Sequence, residues 1–221
     1  MKKGRGASGF DQEYWKKNYC EPESMDGIGN AKEHALYLKH FLSIEYVDVS
    51  SIIDFGFGLG HLFEEMLKTF LPYKAYGIEP SEYAYQQVVE RSIAPVESMK
   101  LELYQQDLVN WSRRPKGRTK RFDLGICTSV FQYLSDSELK EVLPVMAEKV
   151  KYLYLTVPTN LELDRQIEEL EFHDTYCYRR GRQFYQRLIR KHFTFISSRL
   201  LESKVHFDEE STAFTDLLYR F

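Results

Sequence analysis

Three glycines and three acids carry the chemistry that this sequence offers. Gly56, Gly58 and Gly60 stand in Ile52-Ile53-Asp54-Phe55-Gly56-Phe57-Gly58-Leu59-Gly60-His61, with Asp54 two positions ahead of the first. Glycine removes the side chains that would keep a ligand from backbone N–H groups, and a helix starting there adds a partial positive charge. The spacing is GxGxG. A nicotinamide dinucleotide fingerprint is GxGxxG and would need glycine at position 61, where His61 stands. An acid this close to the turn repels a pyrophosphate, but it suits a ligand carrying an ammonium group. Glu79 lies 19 residues after Gly60, where a carboxylate can accept hydrogen bonds from both hydroxyls of a ribose. Asp107 follows, placed to meet an adenine amino group.

Such residues work together only if strands end where they stand. Ser51–Phe55 reads as a short apolar strand, and His61–Phe70 as a helix closed by Leu71-Pro72. Lys74–Ile78 is a second strand, followed by Glu79-Pro80-Ser81, with Ser81 a good N-cap for a helix over Glu82–Arg91. Leu101–Gln105 is a third strand leading to Asp107, and Phe122–Thr128 a fourth. A helix from Asp136 to Lys149, containing Pro144, then precedes a fifth strand, Tyr152–Val157. This alternation predicts βαβ units in an α/β fold, a largely parallel sheet with helices on both faces. Phe193–Glu202 and Thr212–Phe221 are β-rich stretches joined by the polar turn His206–Ser211, and they predict a C-terminal antiparallel hairpin. Ahead of the first strand, Ala31–Leu42 carries apolar residues at helical spacing.

The segments IIDFGFGLG, YGIEPS, LYQQDL and FDLGICTSVFQYL resemble the successive motifs of class I S-adenosylmethionine-dependent methyltransferases of the small-molecule type. The resemblance runs from Ser51 to Val157, and the closing hairpin matches the end of that fold. It implies a Rossmann-like seven-stranded sheet, parallel except for the hairpin, in a cofactor-binding domain over residues 49–221. Residues 1–48 would form a helical lid, and about 159–192 a substrate-side insertion. S-adenosylmethionine would be the cofactor and S-adenosylhomocysteine the product. Gly56, Gly58 and Gly60 would wrap the methionine part, with Asp54 holding its amino group. Glu79 would take the ribose hydroxyls, and Asp107 with the Leu108 backbone would face the adenine. Phe55, Pro80 and Thr128 complete the implied lining, Thr128 within the Cys127–Val130 stretch beside the sulfonium. The segment DQEYWKKNY is similar to the stretch that closes over the cofactor in many small-molecule members, which adds Tyr14 and Tyr19.

Where many small-molecule relatives have Glu-His after the fourth strand, this chain has Gln132-Tyr133, so that histidine base is absent. The insertion carries Glu171-Phe172-His173-Asp174, and His173 is the candidate catalytic base. Neither the Asn/Asp-Pro-Pro-Tyr/Phe signature nor a Pro-Cys nucleophile of nucleic-acid methyltransferases is found, and Cys127 follows Ile126 as a small packing residue. No metal site is indicated, because the three cysteines have no CxxC spacing.

The 221 residues suffice for one large core, and a net charge of −3 gives no general attraction to nucleic acid or anionic membrane. Two basic runs stand apart, Ser112–Arg121 and Arg179–His192, each with six Lys or Arg and no acid. They are read as a solvated loop and as the exposed face of an amphipathic helix. No run approaches the length of a membrane helix, and MKKGRGASGF has no apolar segment behind it, so a cytoplasmic setting is expected. The reading is a small-molecule methyltransferase. Its alternatives are an RNA or protein methyltransferase docking through the basic runs, and a non-catalytic subunit that keeps the fold and binds cofactor or a partner.

Overall fold

The computed structural model describes residues 9–10, 12–18, 27–114, 121–170, 174, 176–215 and 220. Two helices, α1 (Gln12–Asn18) and α2 (Ala31–Ile44), precede the first strand. Strands and helices then alternate as β1 (Ser51–Phe55), α3 (His61–Phe70), β2 (Lys74–Glu79), α4 (Glu82–Arg91), β3 (Lys100–Gln105), α5 (Leu108–Ser112), β4 (Phe122–Thr128), α6 (Asp136–Lys149) and β5 (Val150–Thr156). Two further helices, α7 (Asn160–Leu170) and α8 (Arg182–Ile189), lead to β6 (Phe193–Phe195) and β7 (Leu200–Ser203). The seven strands form one sheet in the order β3-β2-β1-β4-β5-β7-β6. The first five are mutually parallel, and β7 runs against both β5 and β6. The expected α/β architecture is therefore what the chain forms.

β1 is buried along its whole length, as a central strand covered on both faces must be. Ile52 packs with Leu38, Leu42, Phe63 and Met66 from α2 and α3. Its neighbour Ile53 points the other way, into a cluster with Trp111, Leu139, Val142 and Leu188 from α5, α6 and α8. Burying each such side chain fully stabilises the fold by about 1.5–3 kcal/mol. The chain reverses its order of strand addition between β1 and β4, which lie side by side, and the carboxyl ends of strands at such a reversal are where open α/β sheets take ligands.

The C-terminal hairpin differs from its expected position. β6 and β7 both lie within the first of the two β-rich stretches. Their turn closes because Ser197 N–H and Ile196 N–H donate to the Leu200 carbonyl at 3.0 and 2.9 Å, while the Ser197 hydroxyl accepts from Leu200 N–H at 3.1 Å. A serine folding back on its own backbone is a local turn signal that β-propensity alone does not register. Among the described residues of the second stretch there is no strand. Thr212 instead donates to the buried Glu202 carboxylate at 2.7 Å, and Arg220 pairs with the same group. α5 is an additional element, too short for periodicity to reveal, started by Asp107 accepting from Asn110 N–H at 2.8 Å.

Gly60 begins α3 at φ +76°, and a Cβ there would lie 2.6 Å from Val88 Cγ2 in α4. Gly60→Ala combines left-handed backbone strain with overpacking, so it should destabilise the fold by about 2–4 kcal/mol in denaturant titration. A loss below about 0.5 kcal/mol would show that neither constraint operates.

Candidate active site

The carboxyl ends of β1, β2 and β4 open on a cavity of about 470 Å³, a size suited to a small-molecule or cofactor ligand. Every predicted site residue among the described ones lines it. From β1 and its turn come Asp54, Phe55, Gly56, Gly58 and Gly60; from the next strand ends come Glu79, Pro80, Asp107, Leu108 and Thr128; from α1 comes Tyr14. Tyr19 and the predicted base His173 lie outside the described residues.

The glycine turn is shaped by contacts as well as by backbone freedom. Gly56 has φ +127°, and a Cβ on it would sit 2.7 Å from Val130 Cγ2, across the β1–β4 junction. Gly58 has φ +54°, and a Cβ there would come within 3.2 Å of the Trp15 ring. Ser129 is also left-handed, at φ +55°, with its N–H donated to the Thr156 carbonyl at 3.0 Å. A non-glycine residue held there beside a cavity is strain that the surrounding fold must support.

Glu79 organises the cradle. One carboxylate oxygen accepts from Gly58 N–H at 2.8 Å and the other from Ser81 N–H at 2.9 Å. Ser81 in turn caps α4, accepts from the Trp15 indole at 2.8 Å and donates to the Phe10 carbonyl at 2.6 Å. The segment from Phe10 through α1 is thereby tied down over the glycine turn. Trp15 and Phe10 thus belong to the site although the sequence reading assigned them no role; the signal was Trp15 beside Tyr14 in the same short helix.

Burial sets the electrostatics. Glu79 is 4% exposed, and desolvation pushes its carboxyl up to about 7 against the opposing pull of the two N–H bonds. Asp54 is 3% exposed and shifted well above the usual carboxylate range by burial, then by the neighbouring Glu79 charge. Its Oδ1 is buried with no hydrogen-bond partner. A buried polar atom left without a partner costs free energy that a bound group can recover. Asp107 differs: its carboxylate is occupied by the N–H and the side-chain amide of Asn110. Cys127 is buried, and desolvation followed by the Asp54 charge raises its thiol well above the ordinary value, which suits the packing role and not a nucleophile.

Opposite this end, the turn after β4 brings other groups to the cavity. Tyr133 Oη donates to Asp174 Oδ2 at 2.5 Å and lies 3.3 Å from Tyr14 Oη. Arg180, 8% exposed, holds this turn by donating to the Leu134 carbonyl and the Asp136 carboxylate, each at 2.7 Å. Tyr178 N–H donates to the Gln132 carbonyl, also at 2.7 Å. Arg180 is therefore a structural clamp and not part of an exposed basic face. Arg179 pairs with Asp164 and Arg113 with Glu141, whereas Arg182, Arg187, Arg190 and Lys191 are exposed and positions 115–120 are not described. Among the described residues there is no metal-ligand cluster and no helix long and apolar enough to cross a membrane.

Residues 52–152 match the methyltransferase-domain family. No curated protein sequence matches the chain. Magnesium protoporphyrin IX methyltransferase from Synechocystis PCC 6803, solved with S-adenosylhomocysteine, is a structural neighbour at 16% identity and TM-score 0.57, covering 90% of this chain and 94% of its own. A methyltransferase from Clostridium acetobutylicum superposes with TM-score 0.60 at 10% identity, over 86% of this chain and 96% of that one. Plantazolicin methyltransferase with S-adenosylhomocysteine gives 0.63 at 14% identity, over 83% and 70%. These neighbours share the fold. A methyltransferase-domain match through the central strands and the methyltransferase fold of these neighbours thus coincide on the chain whose strands carry this cradle at their carboxyl ends.

Proposed function

We propose that the enzyme transfers a methyl group to a small-molecule acceptor, with the donor held at the Asp54–Glu79 end of the cavity. The observation that carries the donor half is the orphaned Asp54 Oδ1 beside a turn whose glycines leave no room for side chains. That oxygen fits the ammonium group of S-adenosylmethionine, the glycine N–H groups fit its carboxylate, and Glu79 fits the ribose hydroxyls. Asp107 and Leu108 face the adenine in this reading, and Phe55, Pro80 and Thr128 form apolar and small walls. When bound, S-adenosylmethionine supplies a methyl group already activated on a sulfonium. What the chain adds is alignment of two reactants and exclusion of water. Residues 1–48 act as the lid, with Trp15 latched to Ser81 and Tyr14 reaching across to Tyr133. The 159–192 insertion contributes the acceptor side through Asp174.

A small acceptor is supported by the names of two neighbours, magnesium protoporphyrin IX methyltransferase and plantazolicin methyltransferase. A cytoplasmic setting belongs to this proposal and rests on the unpaired cysteine pattern of the sequence.

Calorimetric titration should show binding of S-adenosylmethionine and none of NADH. Glu79→Ala should weaken cofactor binding at least tenfold, about 1.4 kcal/mol, or one charge-assisted hydrogen bond. An unchanged affinity would refute the ribose assignment.

The raised carboxyls also make a pH prediction. A carboxyl whose pKa rises on folding binds more protons folded than unfolded, so its contribution to stability is present below the unfolded value and is lost as pH rises. For Glu79 the window runs from 4.5 to about 7, and the loss across it is on the order of 3 kcal/mol. The stability difference between wild type and Glu79→Gln in the ligand-free protein isolates this from the histidines, and it should move by that amount against the wild type. Cofactor binding needs the ionised carboxylate, so it should tighten over the upper part of the same window and release protons. A difference that stays flat with pH would overturn the desolvated state of Glu79.

A further inference from the structure

The acceptor end of the cavity is rich in hydrogen-bond acceptors and poor in available positive charge. Gln132 is 3% exposed, lines the cavity, and has an Oε1 with no hydrogen-bond partner. Next to it in sequence, Tyr133 places its phenolic oxygen on Asp174 Oδ2, while Asp174 Oδ1 accepts from Tyr176 N–H at 2.9 Å. Each carboxylate oxygen retains lone-pair capacity beyond these bonds. The Phe10 ring meets Tyr14 and Tyr133 edge-on, with centroids 5.0 and 4.7 Å away, so aromatic surface stands beside the carboxylate.

The acidic and basic side chains elsewhere in the lining agree with this. Asp54, Glu79 and Asp107 line the cavity from the strand ends, and Asp174 lines it from the segment between α7 and α8. The basic residues among the described lining are Arg113 and His61. Arg113 is held by both oxygens of Glu141 at 2.6 and 2.9 Å. Burial, then the Arg91 charge, lowers the His61 pKa and favours its neutral form. A cavity of one sign with low-dielectric walls attracts the opposite charge and rejects its own. A carboxylate or phosphate on an acceptor would meet no counter-charge here. A hydroxyl would offer one donor to several acceptors. An ammonium offers three donors and no acceptor, and it also interacts favourably with aromatic faces.

We infer that the methyl acceptor is an amine that enters as its ammonium form, recognised by Asp174 with Tyr133 and Gln132; it gives one N–H proton to the Asp174 carboxylate, and the freed nitrogen lone pair forms the new N–CH3 bond as the donor's S–CH3 bond breaks and S-adenosylhomocysteine leaves. Asp174 and Tyr133 are then specificity-determining residues. Arg180 and Tyr178 act through them as positioning residues, by fixing the turn that carries Gln132 and Tyr133. The inference rests on the donor reading of the Asp54–Glu79 end, and its test separates the two.

The protein is first saturated with S-adenosylhomocysteine to fill the donor end. It is then titrated calorimetrically with tyramine, with para-propylphenol as the neutral analogue and with para-hydroxyphenylpropionate as the anionic one. Tyramine should bind at least about tenfold more tightly than either. Asp174→Asn should bring that ratio close to one while leaving S-adenosylhomocysteine affinity within about twofold of wild type. Tyr133→Phe, which keeps the ring, and Gln132→Leu should each lower the ratio, and they provide the readout if Asp174→Asn does not fold. The inference is overturned if tyramine does not bind, if the three probes bind equally, if the anion is preferred, or if the preference survives in every folded variant. Failure of S-adenosylhomocysteine to bind the wild type would overturn the donor reading itself and this inference with it.

Discussion

Glu79 and Asp54 end neighbouring strands of a parallel sheet, and both are almost out of reach of water. A carboxylate in that position is stable only if hydrogen bonds, a proton or a bound cation replace its lost hydration. Glu79 uses backbone N–H groups, and in doing so it joins the glycine turn at Gly58 to the start of α4 at Ser81. Ser81 then receives the Trp15 indole and donates to the Phe10 carbonyl, so the placement of α1 depends on the same carboxylate. Asp54 lacks this compensation at its Oδ1, which is buried and unpartnered. The difference between the two acids is what gives the cradle its direction: one is largely satisfied by the protein and the other is set up for a ligand.

The remainder of the fold brings a second group of residues to face that cradle. Strand order places β4 beside β1, and Val130 presses on Gly56 at the junction. The turn after β4 is held from outside the sheet by Arg180, whose guanidinium reaches two carbonyls and the Asp136 carboxylate. This buried cation is worth more as a constraint than as an ion pair, since Asp136 itself is well exposed. It fixes Tyr133 opposite Asp174. Two halves of a cavity are thus made rigid by separate devices, a carboxylate on backbone N–H groups and a guanidinium on backbone carbonyls. Rigid positioning of two reactants is what methyl transfer from an activated donor requires.

The Asp54–Glu79 cradle was legible in the sequence because its chemistry is local. Asp54, the three glycines and Glu79 each follow directly from a strand end, and strands this apolar are recognisable from periodicity and composition alone. β1, α3, α4, β4 and α6 begin and end where the residues indicate: Gly56 follows β1, Gly60 precedes α3, and Ser81 and Ser135 cap α4 and α6. The hairpin was misplaced for a related reason. Its turn depends on the Ser197 hydroxyl binding nearby backbone, whereas strand propensity also favoured the stretch after Thr212, whose Thr212 and Arg220 are instead held by a buried carboxylate.

The acceptor half depends on contacts between residues far apart in the chain. Tyr14 meets Tyr133 across 119 positions, Tyr133 meets Asp174 across 41, and Arg180 reaches back 44 to Asp136. No local pattern marks such pairs, so Gln132-Tyr133 read only as a departure from related enzymes, and Arg180 read as one more cation of an exposed run whose helical part, α8, does expose Arg182 and Arg187 over buried Tyr185, Leu188 and Ile189. The sequence by itself determined the sheet, the glycine turn and the acids that line the cavity beside it, because backbone geometry and strand burial are written in neighbouring residues. Only the tertiary structure decided that Trp15 latches α1 to Ser81, that Arg180 is a buried clamp, and that a tyrosine and an aspartate face the cavity together. Packing brings those groups into contact, and packing is a property of the whole chain.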